Sequence, residues 1–275
     1  PALPNRIRRQ QHGHAGRNPP GNRTVPPPQP PRALPFVQLH CAPQQIHERL
    51  MPYLDTIRHQ EIFPPQPNDT GVTVIGLGAI GSRVAASLVE LGLTHMSFYD
   101  FDRVEAHNLA NQLYTDNDIG SYKADALSRW INAKLGTDAD AITCHQHRVE
   151  TPAHCLGTVF LLVDSLEERR NLFQNCLRNN PDVDHVIDVR MAASHGVVYS
   201  FNPHTQAAEY LATLGNDDDA EVSGCGSPFS VAPTAAVLAN LAVWQFMNTR
   251  TNPAAHSNVS KLYLTPFILH TEDFA

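Results

Sequence analysis

The chain of 275 residues is 42% hydrophobic and carries a formal net charge of −7, which suits one large domain or a domain with an arm. No stretch approaches the roughly 18 apolar residues that a membrane span needs, and no apolar run follows the polar start, so neither a membrane protein nor a secreted one is expected. The five cysteines (Cys41, Cys144, Cys155, Cys176 and Cys225) form no CxxC pair, which argues against a disulfide framework or a paired-cysteine zinc site and for a reducing, cytoplasmic setting.

Between Pro1 and Pro35 lie six arginines, ten prolines and no Asp or Glu. Such a segment buries too little apolar surface to offset its ordering entropy, so we expect a disordered or polyproline arm. It is either a solvated tail or a surface for an acidic partner. The rest of the chain is more acidic than the whole, which speaks against a nucleic-acid-binding core. A short helix is expected from about Gln44 to Gln60, started or kinked by Pro52, and a second Pro-rich linker spans Pro64 to Pro67. Residues 1–68 are therefore taken as an arm and 69–275 as the main folded domain.

That domain opens with a strand, Val72 to Ile75, a glycine turn, and a helix to about Leu91. A strand from His95 to Tyr99 ends at Asp100. A helix from Tyr122 to Ala133 puts Ala124, Leu127, Trp130 and Ile131 on one face. Ala141 to Val149 reads as a strand, and so does the apolar run Val159 to Val163, buried on both faces and ending at Asp164. A helix follows to about Leu177, then strands at His185 to Val189, Val197 to Phe201 and Lys261 to Thr265, with a long helix starting near Ser230. Strands alternating with helices predict an α/β, Rossmann-like three-layer domain with a mostly parallel sheet. The closely spaced later strands predict a mixed or antiparallel C-terminal extension.

Gly76, Gly78 and Gly81 stand in Gly-x-Gly-x-x-Gly spacing between the first strand and the first helix. The first glycine permits the tight turn, the second lets backbone amides approach a phosphate, and the third lets helix and strand pack closely. Ile80 and Gly81 open the helix, whose N-terminus favours an anion. Asp100, nineteen residues beyond Gly81, is placed to bind a ribose hydroxyl. This turn serves NAD, FAD and ATP proteins alike.

The stretch from Tyr99 to Leu127 separates them. Asp100, Asp102, Val104, Asn108, Leu109, Gln112, Asp118, Gly120, Lys123 and Ala124 match the pattern D-x-D-x-V-x-x-x-N-L-x-R-Q, then D-x-G-x-x-K-A. Here the chain resembles the ThiF/MoeB/HesA family, which includes the ubiquitin-activating enzymes. The resemblance is close from Val72 to Leu127 and looser to the C-terminus. It implies ATP-dependent adenylation of a carboxylate, with Mg2+, on a small ubiquitin-like or sulfur-carrier protein. It further implies that Asp100 holds the ribose, that Asp102, Asn108 and Gln112 line the nucleotide site, and that Lys123 pairs with phosphate oxygens. Asp164 matches the family's magnesium-binding Asp, and a homodimer is implied.

Alternatives stand beside these readings. Lys123 reads otherwise as a solvated first-turn lysine, although a cation gains nothing from that end of a helix. Asp164 also suits the N-cap of the next helix. Cys225 sits where the family can carry a nucleophilic cysteine, between Gly224 and Gly226, or it is a small residue at a helix start; the acidic run Asp217, Asp218, Asp219 and Glu221 reads as a solvated crossover loop, which would disfavour the thiolate if it folded over Cys225. The family arginine of N-L-x-R-Q is replaced by Asn111, with Arg83, Arg103 and Arg58 as substitutes. His145 and His147 fall on one face of a strand and read as surface histidines. An NAD(P)-dependent oxidoreductase and a non-catalytic nucleotide-binding relative are the competing functions.

Overall fold

Runs of branched and aromatic residues alternate with helical segments along the chain, and the strands they form line up in one sheet. A computed structural model describes residues 54–64, 71–136, 142–215 and 230–274. The strands are β1 (Val72–Ile75), β2 (Met96–Tyr99), β3 (Ile142–His145), β4 (Gly157–Leu161), β5 (Val183–Met191), β6 (His195–Phe201), β7 (Val259–Leu264) and β8 (Phe267–Glu272). They lie in the order β3-β2-β1-β4-β5-β6-β7-β8. The first five in that order are parallel, and β6, β7 and β8 continue antiparallel. The predicted fold class and its antiparallel extension are both present.

Strand geometry sends successive side chains to opposite faces, and the two cores follow that alternation. Val74, Phe98, Phe160 and Ile187 face a core shared with helices α1 (Gly81–Glu90), α2 (Lys123–Leu135) and the long C-terminal helix α5 (Ala232–Thr251). Ile75, Tyr99, Val159, Leu161 and Val186 face a second core closed by α3 (Leu166–Leu172), the π-helical turn Phe173–Leu177 and α4 (Ala207–Ala212). β4 is buried at all five positions, as its unbroken apolar run requires.

Three expectations need correction. The part of the Gln44–Gln60 helix that is described, 54–60, forms hydrogen-bonded turns rather than a helix. Phe63, which is buried against Phe246 with ring centroids 5.8 Å apart, anchors this segment instead. β3 stops at His145, four residues early, because the chain bends as Arg148 turns to Glu168 (2.5 Å) and stacks over the Phe101 ring (3.7 Å). The hairpin strand β8 and the short helix α4 were not anticipated. β8 is exposed at nearly every position, so it carries no inward-outward alternation to read.

One polar cluster lies inside the second core. Asp188 on β5 is fully buried and accepts from Arg169 on α3, from Arg190 Nε (2.9 Å) and from Tyr210 Oη (3.1 Å). Arg169 also donates to the carbonyls of Leu161 (3.0 Å) and Val163, tying this cluster to the carboxyl end of β4. A buried charge is tolerated only when it is paired and hydrogen-bonded, and here every partner comes from a different element or strand position.

Candidate functional site

The sheet order reverses at β1, which lies between β2 and β4. Crossover helices leave such a switch point toward opposite faces and open a crevice at the carboxyl ends of the strands. The glycine turn, Asp100 and Asp164 all belong to that edge.

The turn is built by its glycines. Gly76 has φ +94°, and a Cβ there would lie 2.7 Å from the Leu162 carbonyl oxygen. A Cβ on Gly81 would lie 1.8 Å from the Gly76 carbonyl oxygen, so only glycine lets the helix start this close to the strand. A Cβ on Gly78, by contrast, would meet nothing within 4 Å; that glycine keeps open space rather than a fold constraint. Ile80 takes the N-cap position with no side-chain cap. Among the described residues, no backbone acceptor faces the amides of Gly78, Ala79 and Ile80. Unpaired amides at a helix start form a ready site for an anion.

The neighbouring elements brace the turn. The Asp100 carboxylate accepts the Leu77 amide (2.6 Å) through Oδ2 and the Asp102 amide (2.8 Å) through Oδ1. Burial raises the Asp100 pKa, while Lys123 and these two amides pull the other way. Each oxygen keeps a further lone pair for a hydroxyl donor. Tyr114, also buried, donates from Oη to the Leu77 carbonyl (2.8 Å), and burial holds its hydroxyl well above the usual phenol range.

Lys123 opens α2 and is buried, against the solvated alternative. Its Nζ donates to Asp102 Oδ2 (2.9 Å), and its amide donates to the Asp102 carbonyl (2.9 Å). Only one of its three ammonium protons is used in that contact. Asn108 is buried, and its Oδ1 accepts the Glu105 amide (2.9 Å), which folds the 3-10 turn Ala106–Ala110. Asn111 Nδ2 donates to Ser230 Oγ (2.8 Å), ahead of α5. Gln112 Oε1 is buried without a partner among the described residues.

Asp164 follows β4 and is exposed. The helix N-cap proposed for it belongs to Ser165, whose Oγ accepts the Glu168 amide (3.1 Å), so the Asp164 carboxylate is not used as a cap. Among the described residues, no group of three or more His, Cys, Asp or Glu side chains could hold a metal. A hydrated Mg2+ shared with phosphates needs only one or two protein carboxylates, so the single carboxylate of Asp164 suits that ion.

Other candidates fall elsewhere. Arg103 donates to the Gly120 carbonyl (2.6 Å) and stacks on Tyr122 (3.9 Å to the centroid). Arg58 is exposed in the turn segment. His147 lies beyond β3 rather than on it, yet His145 and His147 are not isolated: His154 joins them (5.2 Å from His147, ring to ring) beside Tyr99, which stacks on His145 at 4.4 Å. Burial and the other two histidines lower the His145 pKa, so this cluster favours its neutral form. Cys225 and the acidic run 217–219 and 221 lie outside the described residues. Cys144, Cys155 and Cys176 are free, and burial pushes the first two thiols up to about 12, which makes them poor nucleophiles. The sequence reading missed Tyr114 and the Asp188 cluster. Tyr114 is two residues past Gln112, but nothing in its spacing announces a bond to Leu77.

A glycine turn feeding a helix start at the switch point, with a buried carboxylate at the end of the adjacent strand, defines a Rossmann-type nucleotide-binding domain. The ThiF family model matches residues 66–271, and the chain belongs to the ThiF family. It is 36% identical over 104 residues to the Nedd8-activating enzyme E1 catalytic subunit of Drosophila melanogaster, covering 36% of this chain and 23% of that protein. It is 33% identical over 83 residues to ubiquitin-like modifier-activating enzyme 5 of Drosophila ananassae, covering 30% of this chain and 20% of that protein. The chain thus matches less than a quarter of the length of either relative. Among solved structures, PaaA superposes with a TM-score of 0.56 at 17% identity, over 74% of this chain and 64% of that one. MccB of E. coli, crystallised with ATP, superposes with a TM-score of 0.57 at 14% identity, over 80% of this chain and 67% of that one. These likenesses show the fold. Among the described residues, no helix is long and apolar enough to cross a membrane.

Proposed function

We propose that the chain binds ATP with Mg2+ and adenylates a carboxylate, that of the C-terminus of a small ubiquitin-like or sulfur-carrier protein. The observation that carries this reading is the buried ammonium of Lys123 beside Asp100 and the open, amide-lined turn. A dinucleotide fold has no need of a buried first-turn lysine there. Family membership and the presence of ATP in the MccB crystals support the same nucleotide. Asp100 takes the ribose hydroxyls. The amides of Gly78, Ala79 and Ile80 take phosphate oxygens, with Gly81 bringing the helix start close enough. Lys123 leaves Asp102 for the phosphates as they arrive, while Asn108 and Gln112 line the site.

Bound at Asp164, magnesium would offset charge on the phosphates. The carboxylate oxygen of the acceptor attacks the α-phosphorus, the bond to the bridging oxygen breaks, and pyrophosphate leaves with its electron pair. The protein's contribution is positioning and charge neutralisation. A following attack by the Cys225 thiolate on the acyl carbon would release AMP and leave a thioester.

Labelled pyrophosphate should exchange into ATP only when a suitable carrier is present. Exchange absent with every carrier, together with tight NAD binding, would reverse the reading in favour of an oxidoreductase. The glycines give a second expectation. Gly78→Ala should leave the melting temperature unmoved, because its Cβ meets nothing, yet weaken ATP binding severalfold. Gly81→Ala should lower stability by about 1–3 kcal/mol through the forced backbone shift. Equal losses of stability in thermal melts of the two variants would contradict the assignment of Gly78 to the ligand.

We also propose a homodimer and a reducing, cytoplasmic setting. Phe267, Ile268 and Leu269 on edge strand β8 and Val237 and Trp244 on α5 are exposed, and exposed apolar edges are commonly covered by another chain. A monomer by light scattering at micromolar concentration would remove the dimer, and a structural disulfide in the purified chain would count against the setting.

A further inference from the structure

Position 111 holds Asn where the sequence resemblance implies Arg, and several buried atoms around it have no partner among the described residues. Six buried side-chain atoms lack a partner among the described residues. Three of them, Arg83 Nε, Asn111 Oδ1 and Gln112 Oε1, belong to one neighbourhood, because the Arg83 guanidinium reaches the Asn111 carbonyl (3.4 Å). Arg83 sits in the first turn of α1, two residues past Gly81, on the helix whose entry amides face no backbone acceptor among the described residues. It has five donors, and that one long contact is its only side-chain hydrogen bond among the described residues. No carboxylate pairs with it there either.

A buried guanidinium nitrogen and two buried amide oxygens without partners are costly in water's absence. A ligand carrying both anionic acceptors and a hydroxyl or bound water would satisfy them together. Resting on the ATP reading above, we propose that Arg83 is a phosphate-binding residue for the terminal phosphates of ATP, supplying positive charge from the first turn of α1. The guanidinium already reaches the backbone of position 111, through the Asn111 carbonyl (3.4 Å). The Asn111 side chain links this position to Ser230, ahead of α5. An arginine fork suits this task because it can grip phosphate oxygens in pairs.

The test is equilibrium binding of ATP and of AMP, each with Mg2+, to the native chain, Arg83→Ala, Arg83→Gln and the pair Arg83→Ala/Asn111→Arg. Arg83→Ala and Arg83→Gln should weaken ATP by about tenfold to a hundredfold and leave AMP, which lacks the terminal phosphates, within about threefold. Asn111→Arg in the Arg83→Ala background should restore most of the ATP affinity. Parallel losses of ATP and AMP in both single variants would show a structural role and overturn the proposal. ATP affinity unmoved in Arg83→Ala but lost in Lys123→Ala would overturn it while leaving the ATP reading intact. A native chain that binds NAD and not ATP would instead overturn the reading on which it rests.

Discussion

Asp188→Ala is expected to destabilise the chain by about 3–5 kcal/mol, measured by urea unfolding, the cost of breaking a buried ion pair by removing one partner. The substitution removes the carboxylate partner of Arg169, which is buried on α3, and the acceptor of Arg190 Nε and of the Tyr210 hydroxyl. The effect should reach the site as well, because Arg169 holds the carbonyls of Leu161 and Val163 that precede Asp164. Asp188→Asn, which keeps the shape and loses the charge, should fall between the two. A loss below about 0.5 kcal/mol for the alanine variant, within the range of an ordinary surface change, would mean that the arginines find other acceptors and that the cluster does not organise the end of β4.

The second large effect concerns chemistry. Lys123→Ala and Asp164→Asn should each lower the rate of carrier-dependent adenylation by about 100- to 1,000-fold, the scale on which a preorganised charge at a reacting centre acts. Asp164 is exposed and does not cap its helix, so Asp164→Asn should change stability by no more than about 0.5 kcal/mol. Rates are to be measured by pyrophosphate release under single-turnover conditions. Full activity in either variant would remove that residue from the site, and activity absent in the native chain with every carrier would favour a nucleotide-binding relative without chemistry.

Much of the fold was legible because its signals are local. The unbroken apolar run of β4 and the β1–turn–α1 segment each announce their element within a few residues. The face of α2 is as plain: Ala124, Leu127 and Ile131 are buried where the helical period puts them. The edge strand β8 was not legible, since an exposed strand satisfies no pattern. The 44–60 helix failed in its described part for a tertiary reason: Phe63 packing on Phe246 fixes the segment, not the helical period of its sequence. At the site, the glycines and Asp100 are written in their spacing. Lys123 was nominated by a motif, and its burial is a fact of packing that no spacing contains. Arg83 could be named only as one of three spare arginines; the orphaned atoms at Asn111 and Gln112 distinguish it from Arg103, which is occupied at Gly120 and Tyr122, and from exposed Arg58.

The most direct test is a structure of the full chain with a non-hydrolysable ATP analogue and Mg2+. The account predicts ribose hydroxyls on Asp100, phosphate oxygens on the amides of Gly78 to Ile80 and on the Lys123 ammonium, and the metal between phosphate and Asp164. A dinucleotide retained in the same crevice, or phosphates lying away from residues 123 and 164, would contradict it.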